Sequence, residues 1–170
     1  MSDTFQSLRI AILTISDTRQ RSEDRSGDLL QSLLETAGHQ LAERHLVRDD
    51  RYAIRAVVSR WIADPGIDVL LTTGGTGVTG RDGTPEAILP LLDKEISGFG
   101  ELFRQLSYEE IGTSTLQSRA LCGVANGTFV FVLPGSMNAC KTAWTRIIAA
   151  QLDLRTRPCN LAMLIPRLKE

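Results

Sequence analysis

Thr72-Thr73-Gly74-Gly75-Thr76-Gly77-Val78-Thr79-Gly80-Arg81-Asp82-Gly83-Thr84-Pro85 separates the apolar run Ile67-Asp68-Val69-Leu70-Leu71 from a helical pattern that begins near Glu86. A strand, a glycine-rich loop and then a helix form a layout suited to an anion. Glycines let several backbone N–H groups converge, and the following helix adds its positive end. Five of the chain's fourteen glycines fall in this loop, so its backbone rather than its side chains carries the information. Read alone, the loop is compatible with phosphate binding or with a tight turn that needs several positive φ angles. Its place directly after a buried strand favours binding.

Outward from the loop, strand and helix patterns alternate. Leu8 to Ile15 is almost wholly apolar or β-branched, as in a strand covered on both faces. Gly27 to Ala37 carries leucines at helical spacing, and Gly38 stops it. Leu41 to Val47 is a weaker strand. Asp49 or Asp50 caps a helix whose inner stripe is Ile54, Val57, Val58, Trp61 and Ile62. Beyond the loop, Thr84 is placed to cap a helix with Pro85 at its first position and Ile88, Leu91 and Leu92 facing inward. Gly98 to Tyr108 and Thr113 to Leu121 read as helices. Asn126-Gly127 marks a hairpin between Cys122–Ala125 and Thr128–Leu133, and Ser136 to Leu152 is a long helix. The expected fold is a three-layer α/β/α sandwich, with a mostly parallel central sheet and an antiparallel hairpin strand. In such sheets ligands lie outside the carboxyl ends of the strands, where Ser16-Asp17-Thr18, Val47 to Asp50, the glycine loop and Pro134-Gly135-Ser136 should gather.

Composition narrows the function. The 170 residues are expected to form one domain, 1–170, large enough to bury about 70% of the unfolded surface. Nineteen basic and twenty acidic residues leave a net charge of −1, which argues against a nucleic-acid surface or a polybasic membrane patch. Cys122, Cys140 and Cys159 are far apart, and His39 and His45 are the only histidines, so zinc is not expected. Reduced thiols and a polar start (Met1 to Phe5) lead to the expectation of a cytoplasmic protein with no membrane partner.

Two familiar motifs match the loop only in part. Gly75-Thr76-Gly77-Val78-Thr79-Gly80 has the letters of a dinucleotide fingerprint, yet Arg81 to Pro85 delays the helix. Glu95, at the distance of a ribose partner, lies in a helical pattern. Gly75 and Gly80 have P-loop spacing, but Arg81-Asp82 stands where Lys-Ser/Thr is required. A carboxylate beside a phosphate cradle is instead a natural Mg²⁺ ligand. Asp49 is open between helix cap and ligand, Asp17 between turn residue and ligand, and Ser118-Arg119 between a helix-surface pair and a site element.

Together, "LRIAILTISDT", "DRSGDLL", "DVLLTTGGTGVTGRDGTPEA", "EISGFGELFRQLS", "LQSRALCGVANGT" and "LPGSMNACKTAW" resemble the molybdopterin-binding family of molybdenum cofactor biosynthesis. The likeness spans nearly the whole chain, and "RYAIRAVVSRWIA", "EEIGTSTLQSRA" and "RTRPCN" resemble its B-type branch. The resemblance implies Mg²⁺-dependent transfer of AMP from ATP to the phosphate of molybdopterin, releasing pyrophosphate. The alternative is a non-catalytic protein that binds molybdopterin or a pathway partner. It also implies a homo-oligomer, trimer or dimer of trimers, and contacts with other molybdenum cofactor enzymes. By resemblance, Asp49 and Asp82 are the catalytic and metal-holding acids. Thr73, Gly74, Gly75, Thr76 and Gly77 with Pro134, Gly135 and Ser136 bind nucleotide and phosphate, and Ser16, Asp17 and Ser118 lie on the pterin side. Ser97 and Met137 stand where related chains usually carry Pro.

Overall fold

The computed structural model describes residues 4–170; the polar start read from Met1 therefore lies partly outside the described residues. Six strands form one sheet: β1 (Arg9–Ile15), β2 (Gln40–Val47), β3 (Val69–Thr73), β4 (Lys94–Glu95), β5 (Leu121–Ala125) and β6 (Thr128–Leu133). Their order is β2-β1-β3-β6-β5-β4. β2, β1, β3 and β6 run parallel, and β5 is antiparallel to both β6 and β4. The expected mixed sheet is thus observed. Asn126 and Gly127 both take positive φ, +48° and +81°, as a type I′ hairpin turn requires.

Helices cover both faces. On one lie α1 (Arg25–Thr36), α4 (Ser97–Ile111) and α5 (Met137–Ala143), the last continuing through a π turn (Trp144–Ile148) into α6 (Ala149–Gln151). Leu30, Leu34, Phe99, Phe103, Cys140 and Trp144 from these helices pack on Ile10, Ile12, Leu71 and Phe131. On the other lie α2 (Arg51–Ala63) and α3 (Thr84–Ile88), with Ile54, Val58, Trp61 and Ile88 against Leu13, Leu70, Val130 and Val132. Alternate residues of one strand enter opposite cores, which is why β1, β3 and β6 read as unbroken apolar runs. No helix among the described residues is long and apolar enough to cross a membrane.

Several local expectations are corrected. Thr84 does not cap α3: Gly83 precedes the helix, and the Thr84 hydroxyl donates to the Gly74 carbonyl at 2.9 Å. Pro85 is the second residue of α3, which is only five residues long. A 3-10 turn over Leu89–Leu91, with Pro90 in it, follows. The Thr113–Leu121 helix is instead a 3-10 turn over Gly112–Gln117, and Leu121 already belongs to β5. Glu95 sits on the edge strand β4, which at two residues is too short to show a period. Ser97 and Met137 are each the first residue of a helix, the position where Pro is tolerated but not required.

Candidate functional site at the carboxyl ends of the parallel strands

Register brings the expected loops together. Ile15 pairs with Val47, Thr14 with Thr73, and Thr73 with Leu133. Four parallel strands therefore end on one line, and the segments that begin at Ser16, Arg48, Gly74 and Pro134 leave the sheet side by side. β1 leads to β2 on one side, whereas β3 leads toward the opposite half of the sheet, so the crevice between β1 and β3 is a switch point.

The glycine loop has an enforced shape. Gly74 and Gly75 have φ of +108° and +65°. A Cβ on Gly74 would lie 2.1 Å from the Ile15 carbonyl oxygen. One on Gly75 would lie 2.3 Å from Thr84 Oγ1 and 2.6 Å from Asp49 Oδ2. Both positions therefore exclude any side chain, sterically as well as by conformation. The loop is anchored at its start by the Gly74 N–H donating to the Leu133 carbonyl (3.0 Å) and at its end by the Thr84 N–H donating to the Gly75 carbonyl (3.1 Å).

Arg119 holds the middle of the loop. Its Nε donates to the carbonyls of Thr76 (3.2 Å) and Gly77 (2.9 Å), Nη2 to that of Asp82 (3.0 Å), and Nη1 pairs with Glu86. A guanidinium offers five donors in a rigid fork, so one side chain can fix carbonyls from separate parts of a loop. Arg119 is not the helix-surface residue that one reading of Ser118-Arg119 suggested. It follows the 3-10 turn and folds back 43 positions in sequence to Thr76. Nothing local in the sequence distinguishes it from a surface arginine.

The ambiguity at Asp49-Asp50 is resolved by division of labour. Asp50 caps α2, accepting from the N–H groups of Tyr52 (3.0 Å) and Ala53 (2.8 Å). Asp49 is thereby free of the helix, and its Oδ1 accepts from the Gly83 N–H at 3.1 Å. Asp82 turns back on its own loop: Oδ2 accepts from the Thr79 hydroxyl (2.7 Å) and the Thr79 N–H (2.9 Å). A Cβ on Gly77 would lie 2.6 Å from the same oxygen. Both acids thus border the glycine loop. Their electrostatics diverge. Burial, with the negative charges of Asp17 and Asp82, raises the Asp49 carboxyl above its ordinary pKa. The Thr79 hydroxyl, followed by backbone N–H groups, lowers that of Asp82.

The remaining expected residues divide. Asp17 joins the cluster, its Oδ1 accepting the Asp49 N–H (3.2 Å) and its Oδ2 pairing with Arg81. Ser16 shapes its own turn, with Oγ accepting from the N–H of Arg19 at 3.1 Å. Ser136 caps α5 through the Ala139 N–H (3.1 Å). Gly135 lies against Gly74, and its carbonyl accepts from Arg19 (3.4 Å). The Thr73 side chain is buried and donates to the Pro134 carbonyl (2.9 Å), so its hydroxyl ties two loops together. Thr76 is also buried. Ser118 lies beyond Arg119, in an open depression that also involves Glu86, Leu89, Arg104 and Leu116.

The dinucleotide reading does not survive this geometry. The loop follows the third strand, the helix starts only at Thr84, and Glu95 is on the far edge of the sheet. Asp17 and Asp82 lie close enough to Asp49 for their negative charges to act on its carboxyl. Among the described residues no group of three or more His, Cys, Asp or Glu is placed to hold a metal ion.

Comparison with known proteins gives the family. Residues 11–154 match the model of the probable molybdopterin binding domain. Molybdenum cofactor biosynthesis protein B of Escherichia coli (strain K12) is 58% identical over 160 residues, 94% of each chain. The protein of that name from Bacillus cereus is 47% identical over 146 residues, 85% of this chain and 86% of the relative. A crystal structure of a molybdenum cofactor biosynthesis protein B superimposes with a TM-score of 0.87 at 43% identity, covering 96% of both chains. The tungsten cofactor synthesizing protein MoaB from Pyrococcus furiosus gives 0.80 at 35%, covering 97% of this chain and 99% of its own. With its glycine loop and both acids inside the matched region, the chain belongs to the molybdopterin-binding-domain family of molybdenum cofactor biosynthesis, in its protein B group.

Proposed function

We propose that the chain catalyses Mg²⁺-dependent transfer of the AMP moiety of ATP to the phosphate of molybdopterin, releasing pyrophosphate. The observation that supports this reading is the placement of Asp49 and Asp82, from two separate loops, on the rim of one glycine loop at the switch point. In the reaction a molybdopterin phosphate oxygen bonds to the α-phosphorus of ATP, and the bond from that phosphorus to the pyrophosphate oxygen breaks. Chemistry of this kind asks mainly for positioning and charge neutralisation. With the Gly74 N–H committed to the Leu133 carbonyl, the backbone N–H groups of Gly75 and Thr76 would hold phosphate oxygens, and the start of α5 after Pro134-Gly135-Ser136 offers more. Arg119, Thr84 and Thr73 keep these groups in place before substrate arrives. Asp49 and Asp82 would hold Mg²⁺, which when bound offsets the charge of two approaching anions. Neither acid serves as a base, because a phosphate nucleophile is already ionised. Ser16, Asp17 and Ser118 complete the pterin side of the proposal.

Incubating the protein with ATP, Mg²⁺ and molybdopterin should yield the adenylylated pterin and pyrophosphate. Asp82→Asn should abolish product while leaving the thermal transition in place. No product under conditions where an active adenylyltransferase works would reject the reading. One observation favours a second reading, a non-catalytic molybdopterin binder: Asp82 Oδ2 is already engaged by two donors from Thr79. Calorimetry that detects pterin binding but no Mg²⁺-dependent ATP binding would decide for it. A homo-oligomer belongs to the same proposal. The apolar groove of Ile96, Phe99, Leu102, Ile147 and Leu161 is the face that a second copy would cover, and light scattering reads the mass directly.

A further inference from the structure

The conspicuous cation of the glycine loop plays no part in the mechanism above. Arg81 projects into solvent, with its side chain 71% exposed, and its Nε and Nη2 both rest on Asp17 Oδ2, at 3.0 and 2.8 Å. Asp17 follows β1 and Arg81 follows β3, so the pair bridges the switch-point crevice. Around this guanidinium the charges are unbalanced. Asp17, Asp49 and Asp50 all act on it, and Asp82 is its neighbour in sequence. Arg48 is a further cation acting on Asp17. Arg81 is thus the counter-ion of an acidic rim, held by an exposed pair of the kind that contributes little to stability and is readily exchanged. Its planar fork matches phosphate oxygens as well as it matches a carboxylate.

We propose that Arg81 is a polyphosphate-binding residue held in reserve by Asp17. When a polyphosphate and its divalent cation enter the crevice, the cation takes over neutralisation of the acids and the Arg81 guanidinium transfers from Asp17 to phosphate oxygens. The inference rests on the reading of the crevice as the ATP site. It gives the loop a positive side chain at the position where the P-loop pattern is broken.

The test is calorimetry of inorganic triphosphate in Mg²⁺ with the full chain, its folding checked by thermal melting. The variants are Arg81→Met, Arg81→Lys, Asp17→Asn and the double Asp17→Asn/Arg81→Met. Arg81→Met should weaken binding about tenfold, the effect of losing a charge-assisted contact, and Arg81→Lys should recover part of it. Asp17→Asn keeps the oxygen that accepts the Asp49 N–H and should tighten binding. A merely repelling carboxylate would give the same tightening with or without Arg81. A carboxylate that sequesters Arg81 gives a gain about threefold larger when Arg81 is present, because only then is a guanidinium released. Equal gains in the two backgrounds, or Arg81→Met binding within twofold of the parent while the parent turns over ATP, would overturn the proposal and leave the adenylyl-transfer reading intact. A parent chain that binds neither triphosphate nor ATP would overturn both.

Discussion

Substitution of Gly75 by alanine tests the shape of the loop most directly. The residue has φ +65°, a conformation that costs an L side chain about 1–2 kcal/mol. The new methyl also lies 2.3 Å from Thr84 Oγ1, well inside contact distance. Thr84 is buried, and its hydroxyl donates to the Gly74 carbonyl, so moving it aside leaves buried polar groups unpaired at about 1–3 kcal/mol. Together these place the destabilisation at about 2–5 kcal/mol, a large share of a typical folding free energy. Urea unfolding followed by tryptophan fluorescence measures it. Gly80 is the control: it has no positive φ, and a Cβ there would meet nothing within 4 Å, so Gly80→Ala should change stability by less than about 0.5 kcal/mol. A double-mutant cycle with Thr84→Ala isolates the collision. Removing Oγ1 should recover about 1–2 kcal/mol of the Gly75→Ala cost, leaving the backbone term and the close approach of the methyl to Asp49 Oδ2 (2.6 Å). A cost below about 1 kcal/mol for Gly75→Ala, or a cycle that closes to zero, would refute the described packing of the loop against Thr84.

Other perturbations separate stability from function. The Asp49 carboxyl is raised by burial and by Asp17 and Asp82, so its ionisation opposes folding. The stability it contributes is present in acid and is lost as pH rises through its folded pKa. Asp49→Asn should therefore unfold no earlier than the parent at neutral pH and gain up to about 1 kcal/mol, while losing adenylyl transfer; a lowered thermal midpoint contradicts this. Arg44 and Asp24 form a buried pair at 2.7 Å, with side-chain exposures of 4% and 0%, so Arg44→Met should cost about 3–5 kcal/mol in urea unfolding. Arg119→Gln should accelerate hydrogen exchange in residues 76–83 selectively, because three loop carbonyls depend on that guanidinium, which Glu86 of α3 holds in place; uniform protection across the variant would count against the clamp. Burial pushes the Cys122 thiol up and that of Cys140 up to about 11, whereas Cys159 is exposed, so an aromatic disulfide reagent should titrate one thiol quickly in the native state and three after denaturation.

The parts of this protein legible in its sequence are those set by short-range rules. β1, β3 and β6 are written as apolar runs because each is covered on both faces, and Asn126-Gly127 as a turn because two positive φ angles are needed there. The glycine loop is legible for the same reason: Gly74 and Gly75 occupy backbone states closed to other residues. Sequence spacing fails where elements are too short to show a period, at β4 and at the 3-10 turn over Gly112–Gln117.

Side-chain roles at the site were decided only by tertiary structure. Asp49 and Asp50 are chemically identical neighbours. One caps α2, and the other crosses 34 positions of sequence to Gly83 because the β1–β2 and β1–β3 registers bring their loops together. Thr84 carries the letter of a helix cap but satisfies a carbonyl of the loop instead. Arg119 and Arg81 are indistinguishable from surface arginines until the chain folds, when one is found inside the loop's hydrogen-bond network and the other on its rim. Local sequence determined that a glycine loop with positive φ angles would follow a buried strand. Which side chains surround that loop depended on strand order and register, contacts between distant segments to which no local pattern corresponds.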